Sequence, residues 1–159
     1  MAIDRIDWHS GGDFPDHLPA ENGGTHIGFY LSWILNNDLQ GELHRDSEDS
    51  KNRVIKVLNR VYSGRDFLIS DCDEKFWFED LNERGKSFTE HYYQDERIPN
   101  YLNDYSEIFE SDAKSIYELE DSWENYEKVK SLIDNRYVNW LASKSKSKWW
   151  KFWKTPHNK

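Results

Sequence analysis

The chain has 159 residues, the length of one domain rather than of a two-domain enzyme. Its 30 acidic residues against 21 basic ones give a net charge of −9, which excludes a generic nucleic-acid-binding surface, because phosphate contacts need clustered Lys and Arg. Leu, Ile, Val and Phe make up about 22% of the chain, just above the level at which a highly charged chain stays disordered, and aromatics at 16% add large core side chains.

In chain order, the first 24 residues hold Pro15 and Pro19 with Gly11, Gly12, Gly23 and Gly24, a composition that predicts an extended, looping lead-in. Thr25 stands at an N-cap position. Ile27, Tyr30, Leu31, Ile34 and Leu35 follow at helical spacing, with Phe29 and Trp33 on a second face, so this helix should be central and end at Asn36 and Asn37. Val54, Val57, Leu58, Val61 and Tyr62 predict a second helix over about 50–62, stopped by Ser63 and Gly64. Residues 65–81 fit either a small hairpin, built from 67–69 and 76–78, or short helical pieces; the helical pieces are expected. A helix starting at Glu79 or Asp80 would carry Leu81, Phe88, His91 and Tyr92, with Gly85 interrupting or closing it early.

Pro99 suits the first turn of a helix carrying Tyr101, Leu102, Tyr105, Ile108 and Phe109. From about Asp121 to Ser143, Trp123, Tyr126, Val129, Leu132 or Ile133, Tyr137, Trp140 and Leu141 form one long apolar face. Five or so helices with no alternation of strands and helices predict an all-α or mainly α single domain over residues 1–142, followed by a basic tail over 143–159. That tail has six lysines and no acid, so the body carries −15 and the tail +6.

The start, MAIDRIDWHSGGDF, has no apolar run of a secretory signal, and no stretch approaches the roughly 20 apolar residues of a membrane span. A single cysteine, Cys72, leaves no intramolecular disulfide and fits a reducing compartment, so a cytoplasmic location is expected. Asp71 and Asp73 flank Cys72 and should raise its thiol pKa, making it inert.

No catalytic motif follows from spacing. The Gly23-Gly24-Thr25-His26-Ile27-Gly28 stretch lacks the Lys-Ser/Thr of a phosphate loop, and His26 reads as a buried, hydrogen-bonded histidine. His9, Asp13 and His17 recur every four residues, but on a segment of glycines and prolines rather than on a helix. Asp71, Asp73 and Glu74 begin like a calcium loop, yet Phe76 and Asn82 stand where glycine and glutamate belong. No cofactor and no metal are therefore expected. Acidic residues cluster instead, as Asp71, Asp73, Glu74, Glu79 and Asp80 and as Glu118, Glu120, Asp121 and Glu124, and a basic partner would meet such a surface readily.

The stretches Ile6-Asp7-Trp8-His9-Ser10-Gly11-Gly12, Pro15, Glu21-Asn22 and Gly24-Thr25-His26-Ile27-Gly28 with Trp33 resemble the opening of a family of small bacterial proteins described as domains of unknown function. The likeness continues at Gly64-Arg65, Phe88-Thr89-Glu90-His91-Tyr92-Tyr93, Tyr101 to Tyr105 and Trp123-Glu124-Asn125-Tyr126. Some members resemble immunity proteins of polymorphic or secretion-system toxins, so the resemblance implies a non-enzymatic inhibitor that binds a cognate toxin with a basic surface.

Two alternatives stay open. One is a small enzyme or ligand-binding protein whose pocket gathers Trp8, His9, His26 and the tyrosines near His91. The other is a peripheral membrane protein held by Trp149, Trp150 and Trp153 among the tail lysines, unless that tail folds back on the acidic body.

Overall fold

A computed structural model describes residues 1–95, 99–111 and 114–145 with their side chains, and 146–152 as backbone. The chain is mainly α. Among the described residues six helices build one core: α1 (Thr25–Asn36), α2 (Glu48–Leu58), α3 (Gly64–Asp71), α4 (Glu83–Tyr92), α5 (Tyr101–Phe109) and α6 (Trp123–Phe152). A two-stranded antiparallel sheet joins β1 (Ala2–Arg5) to β2 (Lys75–Trp77), pairing Asp4 with Phe76 and Arg5 with Lys75 across a bulge between Ala2 and Asp4.

Helix α1 is central because its sequence is apolar all round; every residue from Thr25 to Leu35 is buried. It packs on α2, α3 and α6, while α4 and α5 pack against α6. The core is largely aromatic: Tyr30 lies edge-on to Tyr93, Trp33 packs on Phe88 and Tyr137, and Tyr93 stacks on Tyr101. The buried Trp33 indole N–H donates to Asp134 Oδ1 at 2.8 Å, which pins α1 to α6 without leaving a polar atom unpaired.

Helix starts follow local chemistry. Ser63 and Asp66 form a reciprocal capping box on α3, and Ser47, Asn82 and Asn100 cap α2, α4 and α5. Several sequence expectations need correction. Gly24, not Thr25, is the N-cap of α1, and the Thr25 hydroxyl instead accepts from the Arg65 guanidinium at 3.2 Å. The lead-in is not merely looping, since it supplies β1 and the 3-10 turns Ile6–Trp8 and Ala20–Gly24.

Residues 65–81 are neither a hairpin nor only helical pieces, because Lys75–Trp77 finds its partner strand at the N-terminus. Helix α4 begins at Glu83, and Gly85 does not break it: this glycine is where the helix passes the Leu39 carbonyl. Helix α2 ends at Leu58 rather than near Tyr62; only its Val54 and Val57 are buried, whereas Leu58 and, beyond the helix, Val61 face solvent.

Helix α6 continues beyond Ser143 to Phe152, so its backbone runs into the basic segment without a break. The side chains of Trp149 and Trp150, and all of Trp153, lie outside the described residues. Among the described residues no helix is long and apolar enough to cross a membrane.

Candidate functional site

Four chain segments converge on the Asp4 carboxylate, and a fifth reaches it through His9. The short strand β1 carries Asp4 into the core, where it is 4% exposed, and the following 3-10 turn brings His9 back over it. His26 reaches the same carboxylate from the first turn of α1 and Tyr93 from the end of α4, while Tyr117, in the turn Ile116–Glu118, contacts His9. His9 Nε2–H donates to Asp4 Oδ1 at 2.8 Å, His26 Nε2–H to Oδ2 at 3.1 Å, and the Tyr93 hydroxyl to Oδ2 at 2.6 Å. The Arg5 backbone N–H adds a bond to Oδ1 at 2.8 Å. A carboxylate only accepts, so these contacts place a proton on Nε2 of each histidine.

The imidazole rings of His9 and His26 meet edge to face at 4.5 Å. Burial by itself would raise the Asp4 carboxyl, but hydrogen bonds from His26 and His9 outweigh it and hold the group well below the usual carboxylate range. Neutral imidazoles suffice as donors. Burial keeps the His26 imidazole below its ordinary 6.5 despite the pull of Asp4, and it pushes the Tyr93 phenol far up, with the Asp4 charge adding to this. The site is thus a buried carboxylate held by imidazole and phenol donors. Of Asp4, His9, His26 and Tyr93, His9 is the least enclosed, with its side chain 19% exposed, and its Nδ1 faces the hydroxyl of half-buried Tyr117 at 3.3 Å.

Chemically, Asp4 fixes the His9 tautomer and leaves Nδ1 as the acceptor nitrogen, the arrangement of an Asp–His dyad. Asp4 and Tyr117 take both ring nitrogens of His9, so no serine or cysteine nucleophile is paired with it. A second polar constellation lies elsewhere: His44 Nε2 donates to Asp80 Oδ1 at 2.9 Å, the Trp77 backbone N–H donates to Asp80 Oδ2 at 2.6 Å, and Cys72 lies beside them. All three side chains are buried, and burial with the nearby Asp80 and Asp71 charges pushes the Cys72 thiol far above its ordinary value.

The structure therefore divides the residues singled out in the sequence. His9 and His26 come together, but Trp8 is 57% exposed under the Arg5 guanidinium, and His91 lines a separate groove with Phe88, Arg136 and Trp140. Asp13 and His17 do not join His9; both are exposed, and His17 sits 3.6 Å from Glu118. The acidic clusters are likewise split. Asp80 is 2% exposed and belongs to the His44 constellation, and Asp71 is enclosed against Arg53 at 2.7 Å. Asp121 is also internal: it accepts from Ser63 at 2.5 Å and pairs with Arg65 at 3.2 Å. These three acids serve the fold and are not presented to a partner. Asp73, Glu74, Glu79, Glu120 and Glu124 are exposed, and Glu118 is half-buried.

Tyr93, one of the tyrosines near His91, joins His9 and His26 as the pocket alternative expects, whereas no pattern in the sequence points to Asp4, Tyr117 or His44. No spacing links Asp4 to His26, because the residues between them form a folded-back loop rather than a periodic element. The same sheet pairing that was missed is what carries Asp4 inward.

The family model described as "Domain of unknown function (DUF7832)" matches residues 2–119, which takes in the whole Asp4 site and ends before α6. No curated protein and no solved structure matches the chain.

Proposed function

For a chain that belongs to the DUF7832 family of domains of unknown function, we propose the role of an immunity-type inhibitor that binds and neutralises a toxin with a basic surface. The supporting observation is the division of its charge. The internal acids Asp4, Asp71, Asp80, Asp104 and Asp121 are all hydrogen-bonded or ion-paired within the fold, whereas Glu74, Glu79, Glu120 and Glu124 are exposed and make no ion pair among the described residues. Unpaired surface carboxylates on a body of −15 accelerate capture of a cationic protein and need no catalytic group.

Co-expression with a toxin encoded beside its gene should restore growth and yield a copurifying complex. Replacing Glu74, Glu79, Glu120 and Glu124 by lysine should slow association at least about tenfold at low salt, with the difference shrinking as salt is added. Absence of both rescue and a complex would remove the inhibitor reading for that pair, and unchanged association kinetics would remove the role of these carboxylates. Asp71, Asp80 and Asp121 are left intact in this design because their loss would disturb the fold.

One observation favours the alternative of a ligand-binding protein or small enzyme: His9 and His26 converge on one buried carboxylate, and His9 opens to solvent. Neutralisation that survives His9→Ala separates the inhibitor role from any role of this site.

A further inference from the structure

We infer that Asp4, His9 and His26 form a binding site for one divalent first-row transition-metal ion, reached from solvent along the exposed edge of His9. One ligand atom from each of the three side chains lies within 4.8 Å of the other two. His9 Nε2 approaches Asp4 Oδ1 at 2.8 Å, and His26 Nε2 approaches Asp4 Oδ2 at 3.1 Å. Around an ion with bonds of about 2.0–2.1 Å, tetrahedral neighbours stand roughly 3.3 Å apart, so these pairs need to open by only a few tenths of an ångström. His9 is placed to make that adjustment. It follows a 3-10 turn and precedes the Gly11-Gly12 bend, and it is the least enclosed of the three.

The surroundings are those of a supported ligand set. Tyr93 and the Arg5 N–H hold the carboxylate, and the Tyr117 hydroxyl stands 3.3 Å from His9 Nδ1. When an ion takes Nε2, each imidazole carries its proton on Nδ1 instead, and His9 Nδ1–H then donates to Tyr117, the outer contact that orients a metal-bound histidine. One proton leaves Nε2 and one is taken up at Nδ1, so neutral rings bind the ion without net proton release. Two nitrogens and one oxygen suit Zn2+, Co2+ or Fe2+ and do not suit Ca2+ or Mg2+, which take oxygen ligands. Three protein ligands leave a fourth position, on the solvent side of His9.

The other buried cluster, His44, Cys72 and Asp80, has no comparable opening: its members are 5%, 6% and 2% exposed, and the thiol must lose its proton against two nearby carboxylates. The two sites are told apart by experiment. The full chain, stripped with a chelator, is titrated with Zn2+ by calorimetry and with Co2+ by visible absorption. One equivalent should bind, with nitrogen and oxygen ligation and no sulfur-to-cobalt charge-transfer band, while Ca2+ and Mg2+ give no signal.

His9→Ala should weaken Zn2+ binding at least about 100-fold with the circular dichroism spectrum unchanged. Cys72→Ser and a His17→Ala/His91→Ala double variant should bind as the parent does. Absence of stoichiometric binding, binding that survives His9→Ala, or binding lost in Cys72→Ser each overturns the site. These readouts involve no toxin, so their failure leaves the inhibitor reading where it stands.

Discussion

Gly28 on α1 and Gly64 at the start of α3 touch backbone to backbone: a Cβ on Gly64 would lie 1.9 Å from the Gly28 carbonyl oxygen, and one on Gly28 would lie 2.4 Å from the Arg65 amide nitrogen. The Ser32 hydroxyl lies at the same crossing, 2.4 Å from where a Cβ on Gly64 would stand. The contact also places Arg65, whose guanidinium ties Asn22, Thr25 and Asp121 together.

In an open helix start, Gly→Ala would stabilise by up to about 1 kcal/mol through the unfolded chain. Here overlap with backbone dominates, so Gly64→Ala and Gly28→Ala should each destabilise by at least about 2 kcal/mol in urea unfolding. A neutral or stabilising effect would mean that α1 and α3 are farther apart than described.

Stability should fall on mild acidification because of His26. Its folded pKa lies below the ordinary 6.5, so below about pH 6.5 the unfolded chain takes up a proton that the folded site refuses. The contribution is complete above that pH and is lost progressively beneath it. Asp4 acts in a lower window: its depressed pKa gives stability that is present above the unfolded value of about 3.9 and is lost only as pH falls towards its folded value. Melting curves between pH 7 and 5 should show a decline that is shallower in His26→Gln, even though that variant is less stable at every pH.

Asp104 is 4% exposed and is held by a bidentate contact from Arg136, at 2.8 Å for both bonds, and by the Tyr92 hydroxyl at 2.8 Å. This joins α4, α5 and α6. Removing the cation strands a buried carboxylate, so Arg136→Ala should cost about 2–4 kcal/mol, a value reduced from a fully buried pair because Arg136 is one-third exposed. Arg136→Lys cannot supply the two-pronged contact and should recover only part of it. Equal unfolding midpoints for the parent and Arg136→Ala would contradict the bridge.

Cys72 should be unreactive in the folded protein. Its thiol is buried and pushed far up by burial, with Asp80 and Asp71 adding to the effect, so thiolate is scarce at neutral pH. Alkylation by iodoacetamide at pH 7.5 should be at least about 100-fold slower than in denaturant, where the thiol titrates near 8.5. Labelling at the denatured rate without unfolding would show that the His44–Asp80–Cys72 region opens.

The sequence by itself determined that the chain is mainly helical, and much of its core. Apolar periodicity in α1, α5 and α6 is a local property, and Trp33, Tyr101, Tyr105 and Tyr126 are buried where it indicates. It also determined the charge imbalance, which is a matter of counting. Only the tertiary structure decided which charges are surface and which are scaffold: Asp80 and Asp121 sit in acidic runs like their neighbours, yet each meets a distant partner, His44 or Arg65, that no nearby spacing announces.

The Asp4 site is the clearest case. Its five contributors come from residues 4, 9, 26, 93 and 117, brought together by a strand pairing between the N-terminus and Lys75–Trp77. Helical periodicity repeats within a few residues and is written along the chain. A constellation closed across a hundred residues depends on how whole elements pack, and the order of residues records it only through the fold.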